Sequence, residues 1–500
     1  MKLLSIVVAI VTAVLVVAIG LMLGPGASWW LEHVDGVTGL TGKDLAAAVD
    51  AVRGRALAVA TGLAALIAIY YTARNADTAR RAFQLSERGH DTDRYGKAAD
   101  QLGHDKAHVR LAGLYAFEQL AQDNVALRQT TVNVLSAYLR MPWPLPKNDQ
   151  EASSSETDEA NPAHRNRRHL QEELQVRLAA QRILAAHLRC PPVTRRHWWE
   201  RAAAPPSQFW SGIQLDLTDA LLIDLDFRDC RAGDASFRGA TFTGNTMFGG
   251  TTFTGETSFD GVAFNGPVSF RKAAFSGNAM FNGAIFSSDA VFEEIVIAEG
   301  ARFDGAAFAG SAWFAQSVFH EPASFEKATF HDQASFEKAV FNSGAMFDGA
   351  TFSRNTTFGG TTFKGYALFG RATLRGSTSF AKATFNARTH FDGAAFKLDA
   401  SFSDATFGDD ATFSRATFGR DAVFAQATFS RKALFHQTVF SGHASFARCR
   451  LGQDAEVDGA TVTAEALGVE HEWPPNWSVQ PDGKGGGFLR RDVAHTDTRT

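Results

Sequence analysis

Few residues in this 500-residue chain have the types and spacing that chemistry requires. His104 and His108 stand four apart, one helical turn, where two imidazoles could share a metal ion. No third or fourth ligand accompanies them, so they are read as solvated histidines; neither a metal nor a cofactor is expected. There is no Gly-x-x-x-x-Gly-Lys phosphate loop, no His-Glu-x-x-His and no Cys-x-x-Cys. Three cysteines, Cys190, Cys230 and Cys449, argue against a disulfide framework. The remaining candidates suit recognition instead of catalysis. Val296, Val318 and Val340 recur at one fixed interval, and Asp304, Glu326 and Asp348 recur at the same interval. An apolar strip with acidic ladders on another side fits a protein-binding face. A solvated surface whose valines merely favour strand has the same composition, and like charges one strand apart would repel.

What would position these columns is a repeat. From Phe237 to Phe446 every eleventh residue is Phe, and a second series from Phe242 departs only at Ile297, Leu374 and Leu451; 37 of the 42 phenylalanines lie on this lattice. The spacing therefore alternates five and six. Two residues before each Phe stands a small or β-branched residue, such as Ala235, Thr246, Val262 or Ala411. Residues two apart on an extended chain face the same way, so Phe and companion both point inward. Cys230 and Cys449 take the companion position, where a thiol packs as a compact apolar group. Glycine is frequent two residues after the Phe (Gly239, Gly244, Gly250, Gly255, Gly266, Gly277, Gly283, Gly305, Gly349), which predicts corners of positive φ. Strands this short must stack coil on coil.

The run from Leu217 through Leu222 and Phe227 to Cys230, apolar every five residues, resembles the pentapeptide repeat family, and the Ala-x-Phe pattern after it resembles that family's phenylalanine-rich branch. The resemblance implies a mainly β fold, a right-handed quadrilateral parallel β-helix with one repeat per side. The extra residue in alternate repeats lengthens each coil from four repeats of five to two of five and two of six. The valine and acid columns recur at that coil length. At roughly 4.8 Å per strand, ten to eleven coils give a rod about 50 Å long. Some family members mimic duplex DNA and bind type II topoisomerases, which needs an acidic exterior; here Arg231 to Arg450 holds 20 Lys and Arg against 19 Asp and Glu. A carbohydrate-active β-helix enzyme needs long loops, and this repeat has no insertions. Rods of this type often pair end to end, whereas capping segments at both ends suit a monomer. The reading is a non-enzymatic interaction or scaffold protein with an unidentified protein partner and no nucleic acid; a topoisomerase-directed mimic and an enzyme are the alternatives.

Charge is uneven along the rod. Asp289 to Asp348 has ten acids and three bases; Arg354 to Lys397 has seven bases and one acid.

Before the repeat, residues 3–23 carry no charge and can span a bilayer, a cleaved signal peptide being the rival reading. Residues 56–73 form a second uncharged run ending in Tyr70 and Tyr71. These predict a transmembrane hairpin over 1–73. Five basic residues outside its loop against three within it place both termini and the β-helix in the cytoplasm, at a cell membrane. A helical juxtamembrane module is expected over 74–145, with a HEAT-like hairpin around Val109–Leu120, and a disordered loop over 146–168. Over 169–210 a capping helix (Leu174, Leu178, Ile183, Leu184, Leu188) leads to a junction with Trp198, Trp199, Phe209 and Trp210. The β-helix covers 211–451, a C-terminal cap with Trp473 and Trp477 covers 452–481, and a flexible tail covers 482–500.

Overall fold

The computed structural model describes residues 2–144, 162–190, 208–452, 454–483 and 485–491. The chain divides into two compact units, residues 1–94 and 95–500.

The first unit is helical. Helix α1 (Lys2–Leu23) is followed by α2 (Gly26–His33), and α3 begins at Lys43. Ala27 and Leu31 of α2 bury against Val52 of α3. The stretch Lys43–Arg81 of α3 is long and apolar enough to cross a membrane; Thr12–Leu23 and Gly26–His33 meet at a bend of 85° and make a second such element if the pair is one span. Residues 56–73 are not a separate helix. They lie inside α3, which runs unbroken for 60 residues to Leu102 because the alanine-rich charged sequence on either side also favours helix.

In the second unit, the end of α3 packs with α4 (Ala107–Asp123), and Tyr95 meets the buried Phe117 edge to face at 5.2 Å. Helices α5 (Arg128–Arg140) and α6 (Pro162–Leu188) complete a small helical module. Residues 162–168, expected in a disordered loop, form the start of α6, with proline in the first turn where its missing N–H costs nothing; 145–161 lie outside the described residues, as do Trp198 and Trp199. Val176, Ala179, Ala180, Ile183, Leu184 and Leu188 of α6 bury in one continuous core with the first coil of the repeat. Two glutamine side chains close that coil's open edge. Gln181 donates to the Ile223 carbonyl (2.7 Å) and accepts from its N–H (3.0 Å), and Gln129 does the same for Gln214 (2.9 and 3.0 Å). Each amide replaces the strand that the first coil lacks, satisfying backbone groups that would otherwise be buried unpaired.

The repeat folds as a parallel β-solenoid of about 11 turns, in which each coil gives one short strand to each of four sheets. Taken along the coil, the first sheet starts at Leu215–Asp216, the second at Leu221–Ile223, the third at Thr246–Met247 and the fourth at Arg231–Ala232. The register shows where the extra residues enter. Leu215 pairs with Ala235 and Leu221 with Thr241, so the opening coil has no extra residue. Arg231 pairs with Thr252, one position further along, and from Ala235 with Thr257 onward every coil carries two.

The inserted residue sits at alternate corners. Between the first and second sheets, and between the third and fourth, a tight turn closes by an N–H to C=O bond such as Ala306 to Phe303 (3.1 Å), with its third residue at positive φ. Gly305 takes that conformation freely (φ 64°), but Lys327 and Gln316 also hold it (56° and 58°), at a cost. The other two corners carry the extra residue and keep Gly266 and Gly277 for a different reason than expected: their φ is not positive. A Cβ on Gly266 would lie 2.2 Å from the Gly244 carbonyl oxygen, and one on Gly376 would lie 2.2 Å from the Arg354 carbonyl carbon. These glycines let one coil's backbone settle onto the next.

Inside, the phenylalanines stand in ladders. Phe303, Phe325 and Phe347 stack at 4.8 and 4.9 Å with rings within 3° of parallel, and each meets the neighbouring ladder edge to face, as Phe325 meets Phe314 and Phe336 at 5.4 Å. Ile297 and Leu374 fill two rungs and are fully buried. Hydroxyls in the companion positions turn back to the backbone, Ser317 to the Phe292 carbonyl (2.5 Å) and Thr361 to that of Phe336 (2.6 Å).

The lattice does not stop at Leu451. Val457 and Val462 occupy the next two Phe positions, both buried, and Val462 pairs with Phe440. The strand 487–491, expected in a flexible tail, joins this coil antiparallel and pairs with 477–481. Trp473 and Trp477 cover the last rings, Phe446 lying 5.8 and 5.7 Å from them.

Two kinds of corner predict opposite outcomes in thermal unfolding of the full-length chain. Lys327→Gly should raise Tm, since it removes about 1–2 kcal/mol of left-handed strain against a smaller entropic loss. Gly376→Ala should lower stability by about 1–3 kcal/mol. Phe325→Ala, which breaks a ladder, should cost more, about 3–5 kcal/mol.

Candidate interaction face

The coil-to-coil register brings the valine column together: Val296 pairs with Val318 and Val318 with Val340 in the fourth sheet, all pointing outward, with Val296 39% exposed. Asp304, Glu326 and Asp348 also form a column, at the corner between the first and second sheets. The whole width of the first sheet separates the two columns. The acids are also less free than their spacing suggests. Asp304 accepts from the Ser324 hydroxyl and from the Glu326 backbone N–H (3.2 Å), so its charge is held by the next coil.

That bond belongs to a wider pattern that the Phe lattice hides. Corner carboxylates and amides accept from a backbone N–H one coil on: Asp260 from Asn282, Asn278 from Gly300, Asp289 from Ser311 (each 2.9 Å) and Asn355 from Ser377 (3.1 Å). A corner N–H faces outward and has no strand partner, so a short side-chain acceptor beside it satisfies it. Much of the rod's acidic content therefore serves its own backbone. The sequence signal was an Asp or Asn followed one coil later by a corner.

The His104 ring nitrogen accepts from the Lys106 N–H (3.0 Å), and among the described residues no cluster of three or more metal-ligating side chains forms. Cys190, Cys230 and Cys449 are free thiols; burial pushes Cys230 and Cys449 up to about 12, which holds them protonated and unreactive.

Sequence reasoning missed a buried polar network in the helical module. Glu173 pairs with Arg110 (2.8 Å) and Arg177 (3.0 Å) and accepts from the Tyr138 hydroxyl (2.8 Å). Arg177 also ties the Leu139 and Met141 carbonyls (3.1 and 2.7 Å), closing the end of α5. Burial and the adjacent Glu173 carboxylate raise the Tyr138 phenol well above its ordinary range. The network floors an open cleft of about 1020 Å³ with Tyr95, Phe117 and Trp143 among its walls. Both carboxylate oxygens of Glu173 are engaged by donors, so it anchors α4, α5 and α6 to one another.

Asp348, at the end of the acid column, is partly buried. Burial raises its carboxyl, against weaker opposing contributions from the Gly370 N–H, His390 and Arg371. A raised folded value means that the native state binds the proton more readily than the unfolded chain, so stability grows as pH falls toward the ordinary Asp range. Asp348→Asn keeps the acceptor and removes the charge. Its Tm should exceed wild type modestly at pH 7, and the difference should shrink as the pH approaches 4.

The model of the pentapeptide repeats matches residues 248–296, 314–362, 358–406 and 391–431, in 9 copies. No curated protein and no solved structure matches the chain. The aromatic ladders, the one strand per sheet in every coil and these matched segments agree: over the matched segments the solenoid of this chain is built of pentapeptide repeats.

Proposed function

We propose that this protein is a membrane-tethered, non-enzymatic interaction or scaffold protein whose pentapeptide-repeat solenoid, read as the right-handed quadrilateral form, presents the partner-binding surface. The observation that carries the reading is the unbroken coil-to-coil register, with Val296 next to Val318 and Val318 next to Val340 and no loop inserted between coils. Such a body has flat, repeating sides, suited to docking an extended partner surface and not to enclosing a substrate. The valine column supplies apolar area and the acids at the far corner of the adjoining sheet supply charge. The balance of 20 basic against 19 acidic residues counts against a topoisomerase-directed DNA mimic.

Membrane tethering rests on the apolar content of the first unit. Leu57, Val59, Leu66 and Ile69 of α3 are all more than half exposed, along with Tyr71, and a segment with so little apolar surface covered by protein suits a lipid surround. We read two spans with both termini and the solenoid cytoplasmic.

Proximity labelling tests both parts. A labelling enzyme fused after Thr500 should mark cytoplasmic proteins, and one inserted in the Gly36–Gly42 loop should mark extracytoplasmic ones. Val318→Arg combined with Glu326→Lys should remove a specific subset of the cytoplasmic proteins while the chain stays in the carbonate-washed membrane fraction. An unchanged labelling pattern in the double variant would overturn the face; release of the wild-type chain from washed membranes would overturn the tether.

A further inference from the structure

The corner between the fourth sheet and the first carries an arrangement of charge that none of the motifs predicts. Five successive coils cross this corner just before the strands that begin at Ala301, Ala323, Ala345, Ala367 and Thr389. The first two coils place Glu299 and Glu321 there, the third places the neutral Asn342-Ser343-Gly344, and the last two place Lys364 and Arg388. All four charged side chains are exposed, and among the described residues none of them forms an ion pair. At the corner between the third sheet and the fourth, exposed charges find partners one coil on, as Arg271 does with Glu294 (3.1 Å); on the present corner such a pair forms only beyond these five coils, between Asp409 and Arg431 (3.2 Å).

Tyr366, 40% exposed, lays its ring over Gly344, where a Cβ would fall 2.1 Å from the ring; only glycine allows the tyrosine to lie flat there. On the fourth-sheet side the edge is flanked by Val296, Val318 and Val340. Over these five coils the sequence of charges along the axis is therefore minus, minus, neutral with an aromatic, plus, plus, and the next two coils carry Asp409 with Asp410 and then Arg431 with Lys432.

Such an edge is complementary to itself when turned end for end about the central coil. We infer that two copies of this chain pair side by side and antiparallel along this edge, on a two-fold axis near Ser343. Glu321 of one copy then meets Lys364 of the other, Glu299 meets Arg388, and Tyr366 and Val340 supply the apolar centre, with Val318 and Val296 at the outer levels opposite Thr362 and Thr384. A two-fold contact uses the same patch twice, so each complementary pair occurs twice and the assembly closes at a dimer. A parallel arrangement would set Glu against Glu and Lys or Arg against its own copy at every charged level, which is how the edge selects direction. The inference rests on the reading of the rod as an interaction module and names a second copy as the partner of its valine side.

The test is cross-linking of the full-length membrane protein in detergent at low salt, with Ser343→Cys as reporter and the unsubstituted chain as the control for the native thiols. Expected is a disulfide-linked dimer that diminishes as salt is raised, since screening shortens the reach of exposed charges from about 10 Å at 0.1 M to about 3 Å at 1 M. Glu321→Lys or Lys364→Glu, each added to the reporter, should cut cross-linking about tenfold, because each places like charges in both symmetric contacts. Mixing the two variants should restore it, since an introduced lysine on one copy then faces an introduced glutamate on the other. Absence of the reporter dimer in the parent, or its survival in the single reversals, overturns the pairing, as does failure of the mixture to recover. A partner captured through Val318 that persists in a chain failing these tests would overturn the dimer alone and leave the interaction role standing.

Discussion

Face-to-face stacking of phenylalanine on phenylalanine, one coil above the next, is the constraint on which the rest of this structure depends. Two-residue strands bury too little to be stable singly, and they persist because each coil inherits the position of the one below. A ring on every side of the coil fixes its cross-section, and the fixed cross-section in turn leaves room for only a small companion two residues earlier. Where the rung is Ile297 or Leu374 the ladder continues, so the requirement is for inward apolar volume at the right height. Val457 and Val462 extend the same lattice in its last coil, with Trp473 and Trp477 covering the rings at that end.

A stack has two ends, and both are closed by main-chain mimicry together with apolar cover. At the start, Gln181 and Gln129 supply donor and acceptor to a strand that has no coil beneath it. At the finish, the strand 487–491 joins antiparallel, which ends the parallel propagation while pairing its last backbone groups. These closures make the solenoid a finite body. Its corners are supported in the same spirit, by Asp and Asn side chains that hold the next coil's N–H groups, so that an acidic residue on this rod can be a hydrogen-bond acceptor for the backbone as well as a surface charge.

Because every coil repeats the same outward positions, function on such a surface has to be written as variation along columns. Valines in one sheet, acids at the corner across the neighbouring sheet and a reversal of charge along the edge between them are departures from an otherwise neutral lattice. The interior does not change as these columns change, which separates what the rod can bind from what keeps it folded.

The period of eleven was enough by itself to establish the inward lattice and, with the two periods to a coil that the family resemblance implies, the vertical alignment of Val296 with Val318 and Val340. It also carried the alternation of five and six residues, though not its meaning. Only the folded chain decided that the extra residue sits at two of the four corners, and that Gly266 and Gly376 serve close backbone contact instead of positive φ. Likewise only the fold brought Gln181 to Ile223, Glu173 to Arg110, Tyr138 and Arg177, and the strand 487–491 onto the last coil. The physical reason is the same in each case. Stacking is a local rule copied many times, legible from spacing alone, whereas caps, buried ion pairs and coil-to-coil approach join residues whose separation follows no period, and they appear only when the chain has closed on itself.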